Sequence, residues 1–214
     1  TNTTGDKNTA VGNYALDANT TGSNSVAIGY SALGANTTAN YNIAVGQEAL
    51  AKNTTGYENT AVGFRALEEN TTANSNTAFG YNALTDNTEG HSNTAVGGYA
   101  LANNTTGDYS CAFGLYALYD ATTANRNDAF GSYALANCTT GQYNVAFGGW
   151  SLHDVSTGNY NTACGYGALN ANTASNNTAV GQAALTYNTS GSNNVAVGFE
   201  ALELRTTGTS SVAV

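Results

Sequence analysis

Charge is scarce in this chain, and positive charge most of all. Of 214 residues 9% are charged, five of these are Lys or Arg, and the formal net charge is −9. An ordinary globular domain carries about 25% charged residues, so this surface must consist mostly of neutral polar groups. Nucleic-acid binding needs cationic clusters that displace counterions. Lys7, Lys52, Arg65, Arg126 and Arg205 stand singly, which excludes a nucleic-acid partner and disfavours anionic lipid for the same reason. No apolar run approaches the roughly 20 residues that cross a bilayer, so this segment is not expected to insert into a membrane. Proline and methionine are absent.

Groups that carry chemistry are equally few. The two histidines, His91 and His153, lie about four repeats apart at different repeat positions, and Glu68-Glu69 is the only adjacent carboxylate pair. Catalysis needs convergent titratable groups, and no nucleophile–base–acid set can be assembled, so no enzymatic activity and no cofactor are expected. The recurring Asp of calcium-binding solenoid repeats is missing, which argues against metal. Three cysteines at unmatched repeat positions are not a disulfide framework. Cys111 and Cys164 occupy positions where other repeats carry Thr, Val, Ile or Phe, and read as small hydrophobes.

What the chain has is repetition. A Gly that closes an Ala-Val-Gly-like triplet recurs at Gly12, Gly29, Gly46 and onward to Gly198, twelve times. The step is 17 residues everywhere except Gly165 to Gly181, where it is 16, one residue being lost near Asn172-Thr173-Ala174. Counting from that Gly, position −2 is Ala in all twelve units and +4 is Leu in all twelve, while +7 to +10 reads mostly Asn-Thr-Thr-Gly or Asn-Thr-Thr-Ala. Each unit samples one environment twelve times. A position that is always Ala has room for little more than a methyl, and one that is always Leu fills a fixed pocket.

Asn-Thr-Ala-Val-Gly reads as a short β-branched strand ended by a turn signal. Alternate strand residues face opposite sides, so −1 and −3 share one face, while −2 shares the other with Asn at −4. Asp128 is the one charge among them, and such a strand is expected to be covered on both sides. The Ala-Leu step admits a single helical turn, as in Ala66-Leu67-Glu68-Glu69, but a second strand is favoured. Asn-Thr-Thr-Gly supplies the return turn. The expected fold is all-β: residues 1–214 form one parallel β-solenoid of about twelve coils, stabilised by stacking on nearest neighbours. At a strand spacing of about 4.8 Å the rod is roughly 55–60 Å long. So thin a roll invites lateral packing against copies of itself. Both ends fall inside a repeat, and we expect the parent protein to continue in both directions.

Units such as Ser25-Val26-Ala27-Ile28-Gly29 and Asn194-Val195-Ala196-Val197-Gly198 resemble the head-domain repeats of trimeric autotransporter adhesins, and the whole N-T-A-V-G-x-x-A-L unit is similar to repeats of phage-tail-type and related bacterial trimeric fibres. The adhesin repeats are a few residues shorter, and the constant Leu and the Asn-Thr-Thr-Gly segment are additional to their pattern. The resemblance implies a left-handed β-roll of three chains around one axis. It also implies an extracellular, cell-surface or virion-tail location and a role in attachment.

Aromatic residues form a further pattern. Position +1 carries Tyr30, Phe64, Tyr81, Tyr166 and Phe199; position +2 carries Tyr14, Tyr99, Tyr116, Tyr133 and Trp150; no unit has both. Tyr99, Tyr116, Tyr133 and Trp150 fall in consecutive coils and are expected to stack. Either they fill a structural slot, or they form a platform for sugar rings or a protein partner. Phe113, Phe130 and Phe147 replace Val at −1 in the same region, and a column at −5 contains Tyr41, Tyr109, Tyr143 and Tyr160. The function expected is therefore a segment of a homotrimeric surface or tail-like fibre that adheres to a cell or glycan. The alternatives are a spacer stalk without ligand and, less favoured, an ice-binding solenoid using its Thr columns. The adjacent Thr residues at +8 and +9 point to opposite sides of an extended chain, which argues against a flat two-column ice face.

Overall fold

The computed structural model describes residues 2–214 and is a β-solenoid. Thirteen strands, from β1 (Thr9–Val11) to β13 (Val212–Ala213), form one parallel sheet in chain order. Register is that of the repeat: Thr9, Ala10 and Val11 lie opposite Val26, Ala27 and Ile28. The 16-residue coil keeps register too, with Ala163 opposite Ala179, because the lost residue is taken out of the return turn.

Strands of three residues are all that so narrow a coil allows. Alanine at −2 points inward, and Ala27 through Ala196 are fully buried. Outward stand the −3 and −1 side chains, among them Ile28, Phe79, Phe113 and Phe147, all exposed in the single chain. The sequence leads one to expect cover on both faces of the strand; one chain supplies cover only for the inner face.

The second strand expected at Ala-Leu is not formed, nor is a helical turn. The chain instead passes through a series of tight turns with left-handed backbone at +2 and +4. Leucine at +4 has φ of 50–54° in every coil, from Leu16 to Leu202. A non-glycine residue there costs about 1–2 kcal/mol, and two inter-coil gains offset it. The leucine side chain is driven inward, fully buried from Leu33 to Leu185. Its N–H donates to the +3 carbonyl of the next coil, as from Leu118 to Ala134 at 3.0 Å. Inter-coil hydrogen bonding thus continues without a β-ladder.

About a third of the buried residues are polar, nearly all of them Asn. At +7 an Asn donates Nδ2–H to the Asn Oδ1 one coil before and to the carbonyl three residues on, as Asn70 does to Asn53 (2.8 Å) and to Ala73 (3.1 Å); Asn172, which follows Val155 in the column, donates to the Ala174 carbonyl instead. At −4, Asn59 Oδ1 accepts the backbone N–H of Asn76, while Asn59 Nδ2 donates to the carbonyl of Ala73. These columns pair nearly all of their buried polar groups; Asn188 Oδ1, followed one coil on by Arg205 and not by Asn, has no partner among the described residues. The +7 column breaks in three consecutive coils, where Ala121, Cys138 and Val155 are all buried. An unpaired buried amide costs about 1–3 kcal/mol, and a run of three leaves only two ends to satisfy: Asn104 Oδ1 accepts from the Gly107 N–H, and Asn172 Nδ2 donates to the Ala174 carbonyl.

Candidate functional site

The aromatic-rich stretch lies in the middle of the rod, and the structure brings all four sequence-singled residues together. Tyr99 and Tyr116 stack with centroids 5.0 Å apart and planes 2° apart. Tyr116 and Tyr133 follow at 5.2 Å, and Tyr133 and Trp150 at 4.7 Å. The column is longer than sequence position alone suggests. Tyr81, at +1, meets Tyr99, at +2, at 5.3 Å, and Phe64 stacks on Tyr81 at 5.1 Å. The two aromatic positions thus feed one six-ring ladder. The signal was present in the sequence: no unit has both, as expected if either ring fills the same slot.

Residues at +5 flank the ladder. Tyr119 packs edge-on against Tyr116 at 5.1 Å. His153 lies 4.5 Å from Trp150, with Nδ1 2.6 Å from Asp154 Oδ1. Rings inside the ladder have a neighbour on each face, so what Tyr99, Tyr116 and Tyr133 offer to solvent is their edges.

Two other columns are ordered by the same stacking. On the outer sheet face Phe113 stacks on Phe130 at 5.1 Å, and Phe130 meets Phe147 at 5.4 Å. At −5, Arg126 lies between Tyr109 and Tyr143, 5.6 and 5.4 Å from their ring centroids, with Nη1 donating to Tyr143 Oη at 2.6 Å. Tyr143 then stacks on Tyr160 at 5.0 Å. Arg65 instead pairs with Glu48 and Glu68 at 2.8 and 3.3 Å, and Lys52 with Glu69; such exposed, solvent-screened pairs contribute little to stability.

The cysteines differ in environment. Cys138 is buried in the broken amide column, its Sγ donating to the Gly141 carbonyl, and burial pushes its thiol up to about 12. That thiol stays protonated and unreactive at neutral pH. Burial, followed by the nearby Asp128, raises the Cys111 thiol as well. Cys164 is exposed on the outer sheet face.

The threonines do not form a two-column plane. Threonine at +8 is mostly half-buried and donates its hydroxyl to the carbonyl one coil on, as Thr54 Oγ1 does to Thr71 at 3.0 Å. The +9 residues, such as Thr55, are exposed, as are the +8 threonines Thr173, Thr189 and Thr206 of the last coils. Among the described residues there is no group of three or more His, Cys, Asp or Glu able to hold a metal ion, and no helix is long and apolar enough to cross a membrane. Compared with protein-family models, curated proteins and solved structures, the chain finds no match.

Proposed function

We propose that this chain is a segment of a homotrimeric surface or tail-like fibre that attaches to a cell or glycan, without catalytic activity. The observation that carries the reading is the outer sheet face. Its two columns, −3 and −1, run the length of the solenoid and carry Val, Ile, Phe, Thr and Cys, with Asp128 the one charge. A long exposed apolar strip marks an interaction site. A partner covering it over twelve coils must share its repeat along the axis, and another copy of the chain does so by construction. Closed symmetric assembly is the usual outcome for identical chains, and the resemblance to trimeric fibre repeats selects three.

Light scattering tests this directly: the expected mass is three times 21.8 kDa. Val96→Lys with Phe113→Lys places cations on neighbouring coils of the strip, and the expected mass falls to that of one chain. Cys164 gives a second readout. Its thiol reacts with a disulfide reagent in the single-chain variant and is protected in the trimer. A wild-type monomer with fully reactive Cys164 would sink the fibre reading.

A second reading, a spacer stalk without ligand, is favoured by the ladder's own geometry, because its inner rings spend their faces on one another. Stacked pairs contribute about 0.5–1.5 kcal/mol each beyond burial. Tyr116→Ala breaks two of them, and we expect it to lower stability by about 1–3 kcal/mol, read in urea unfolding. If the same variant keeps full stability and instead loses adhesion to cells, the inner rings are the recognition surface.

A further inference from the structure

The aromatic ladder ends abruptly, and its last ring is the chain's only tryptophan. Beyond Trp150 the +2 column carries Gly167 and then Ala183, and the first of these coils places its ring, Tyr166, at +1. The Gly167 backbone is buried, but a Cβ built on it would meet nothing within 4 Å beyond its chain neighbours, Tyr166 and Ala168. Its φ of 65° is close to the 55–59° of Tyr99, Tyr116, Tyr133 and Trp150. The coil therefore has the conformation that elsewhere holds a ring at +2, while its own ring, Tyr166, stands at +1.

Trp150 is 38% exposed, and among the described residues no ring stacks on its face away from Tyr133. Its centroid separations from Tyr133 and His153 are 4.7 and 4.5 Å, and Tyr133 and His153 are 6.3 Å apart. These describe a nearly right-angled triangle with its corner at Trp150. His153 thus sits beside the stack, not across it. Tyr166, 61% exposed, makes no ring contact with Trp150 among the described residues. The flank of the slot is polar: Asn170 donates to the Trp150 carbonyl at 2.9 Å, and Thr186 Oγ1 lies 3.3 Å from the Gly167 carbonyl oxygen.

We infer that this slot binds one pyranose ring of a neutral glycan, the sugar's C–H face stacking on Trp150 where the next aromatic side chain would stand. One flat aromatic wall with a hydrogen-bonding rim matches a ring that is apolar on its face and hydroxylated at its edge. The acidic chain, with Asp154 beside His153, disfavours an anionic sugar. The inference rests on the adhesion reading and gives it a single place and a ligand class.

The test uses the trimer or whatever assembly the intact chain forms. A microarray of neutral glycans identifies the best-bound oligosaccharide, which is then titrated while the emission of Trp150 is followed. The expected result is a saturable change in emission. Gly167→Tyr extends the ladder into the slot, on a backbone that already accepts Tyr in four other coils. It should weaken binding at least ten-fold while the circular dichroism stays unchanged and the melting temperature stays equal or rises. Should that variant misfold, Trp150→Leu takes its place with the same expected loss. Equal binding by wild type and Gly167→Tyr, with silent Trp150 emission, overturns the slot but leaves glycan adhesion standing elsewhere on the rod. No binding to any neutral glycan overturns both the slot and the glycan side of the adhesion reading, while the trimer is judged by its mass alone.

Discussion

Gly114→Ala will destabilise the solenoid by about 3 kcal/mol or more, while Gly56→Ala will cost less than about 1 kcal/mol. Both glycines are crowded: a Cβ at Gly114 would stand 2.6 Å from the carbonyl carbon and oxygen of Gly131, and one at Gly56 2.3 Å from the Ala73 carbonyl oxygen. Proximity alone therefore does not separate them. The +10 column that holds Gly56 also holds Ala39, Ala73 and Ala124, each buried, so small shifts accommodate a methyl there. Gly114 has φ of 139°, and the marker position has φ between 128° and 144° in all twelve coils. That region is nearly closed to residues with a Cβ. The methyl would strain the backbone and push against the next coil at once, where the strand hands over to the left-handed turns. Urea unfolding followed by circular dichroism reads both variants. Equal costs would show that crowding, not backbone conformation, keeps the marker glycine.

Leu118→Ala will cost about 2–5 kcal/mol, a large share of the roughly 5–15 kcal/mol that holds a typical domain. Leu118 is fully buried and is the one large apolar side chain its coil contributes to the interior. Neighbouring coils stack directly on it, so the loss falls on two interfaces. Hydrogen exchange should show fast amides on both sides of the altered coil, while distant coils stay protected. Leu118→Gly distinguishes the turn from the strand that the sequence suggested. In a strand, Gly would be worse than Ala by about 0.5–1 kcal/mol. At φ of 52° the order reverses, because Gly adopts the left-handed region freely; Gly will be at least as stable as Ala. The ordinary order would refute the backbone geometry described for this position.

The legible part of the fold came from repetition. Twelve inward alanines and twelve leucines specify one environment each, and parallel in-register stacking follows because only that arrangement returns identical residues to identical surroundings. The stack from Tyr99 to Trp150 was legible for the same reason: one ring per coil at a fixed offset must lie one strand spacing from the next. The Ala-Leu step was misread because propensity describes local preference. Leucine seldom takes positive φ, and only its burial and its hydrogen bond to the next coil, both long-range, hold it there. Nothing in a single unit announces that.

The broken amide column shows the same division. The sequence places Ala121, Cys138 and Val155 where nine other coils carry Asn or, once, Arg205. The stack shows that the three succeed one another in the buried interior, so that the column is interrupted once, with two ends, and not three times.

By itself, then, the sequence determined the coil length, the inward positions, the parallel order and the near absence of charge, because these follow from period and composition. The tertiary structure alone decided the left-handed path through Ala-Leu, the merging of the +1 and +2 rings into one ladder, and the end of that ladder at a half-exposed Trp150. Each of those depends on contacts between residues 16 to 20 apart in the chain, where the energy that selects a conformation comes from the neighbouring coil and not from the residue's own.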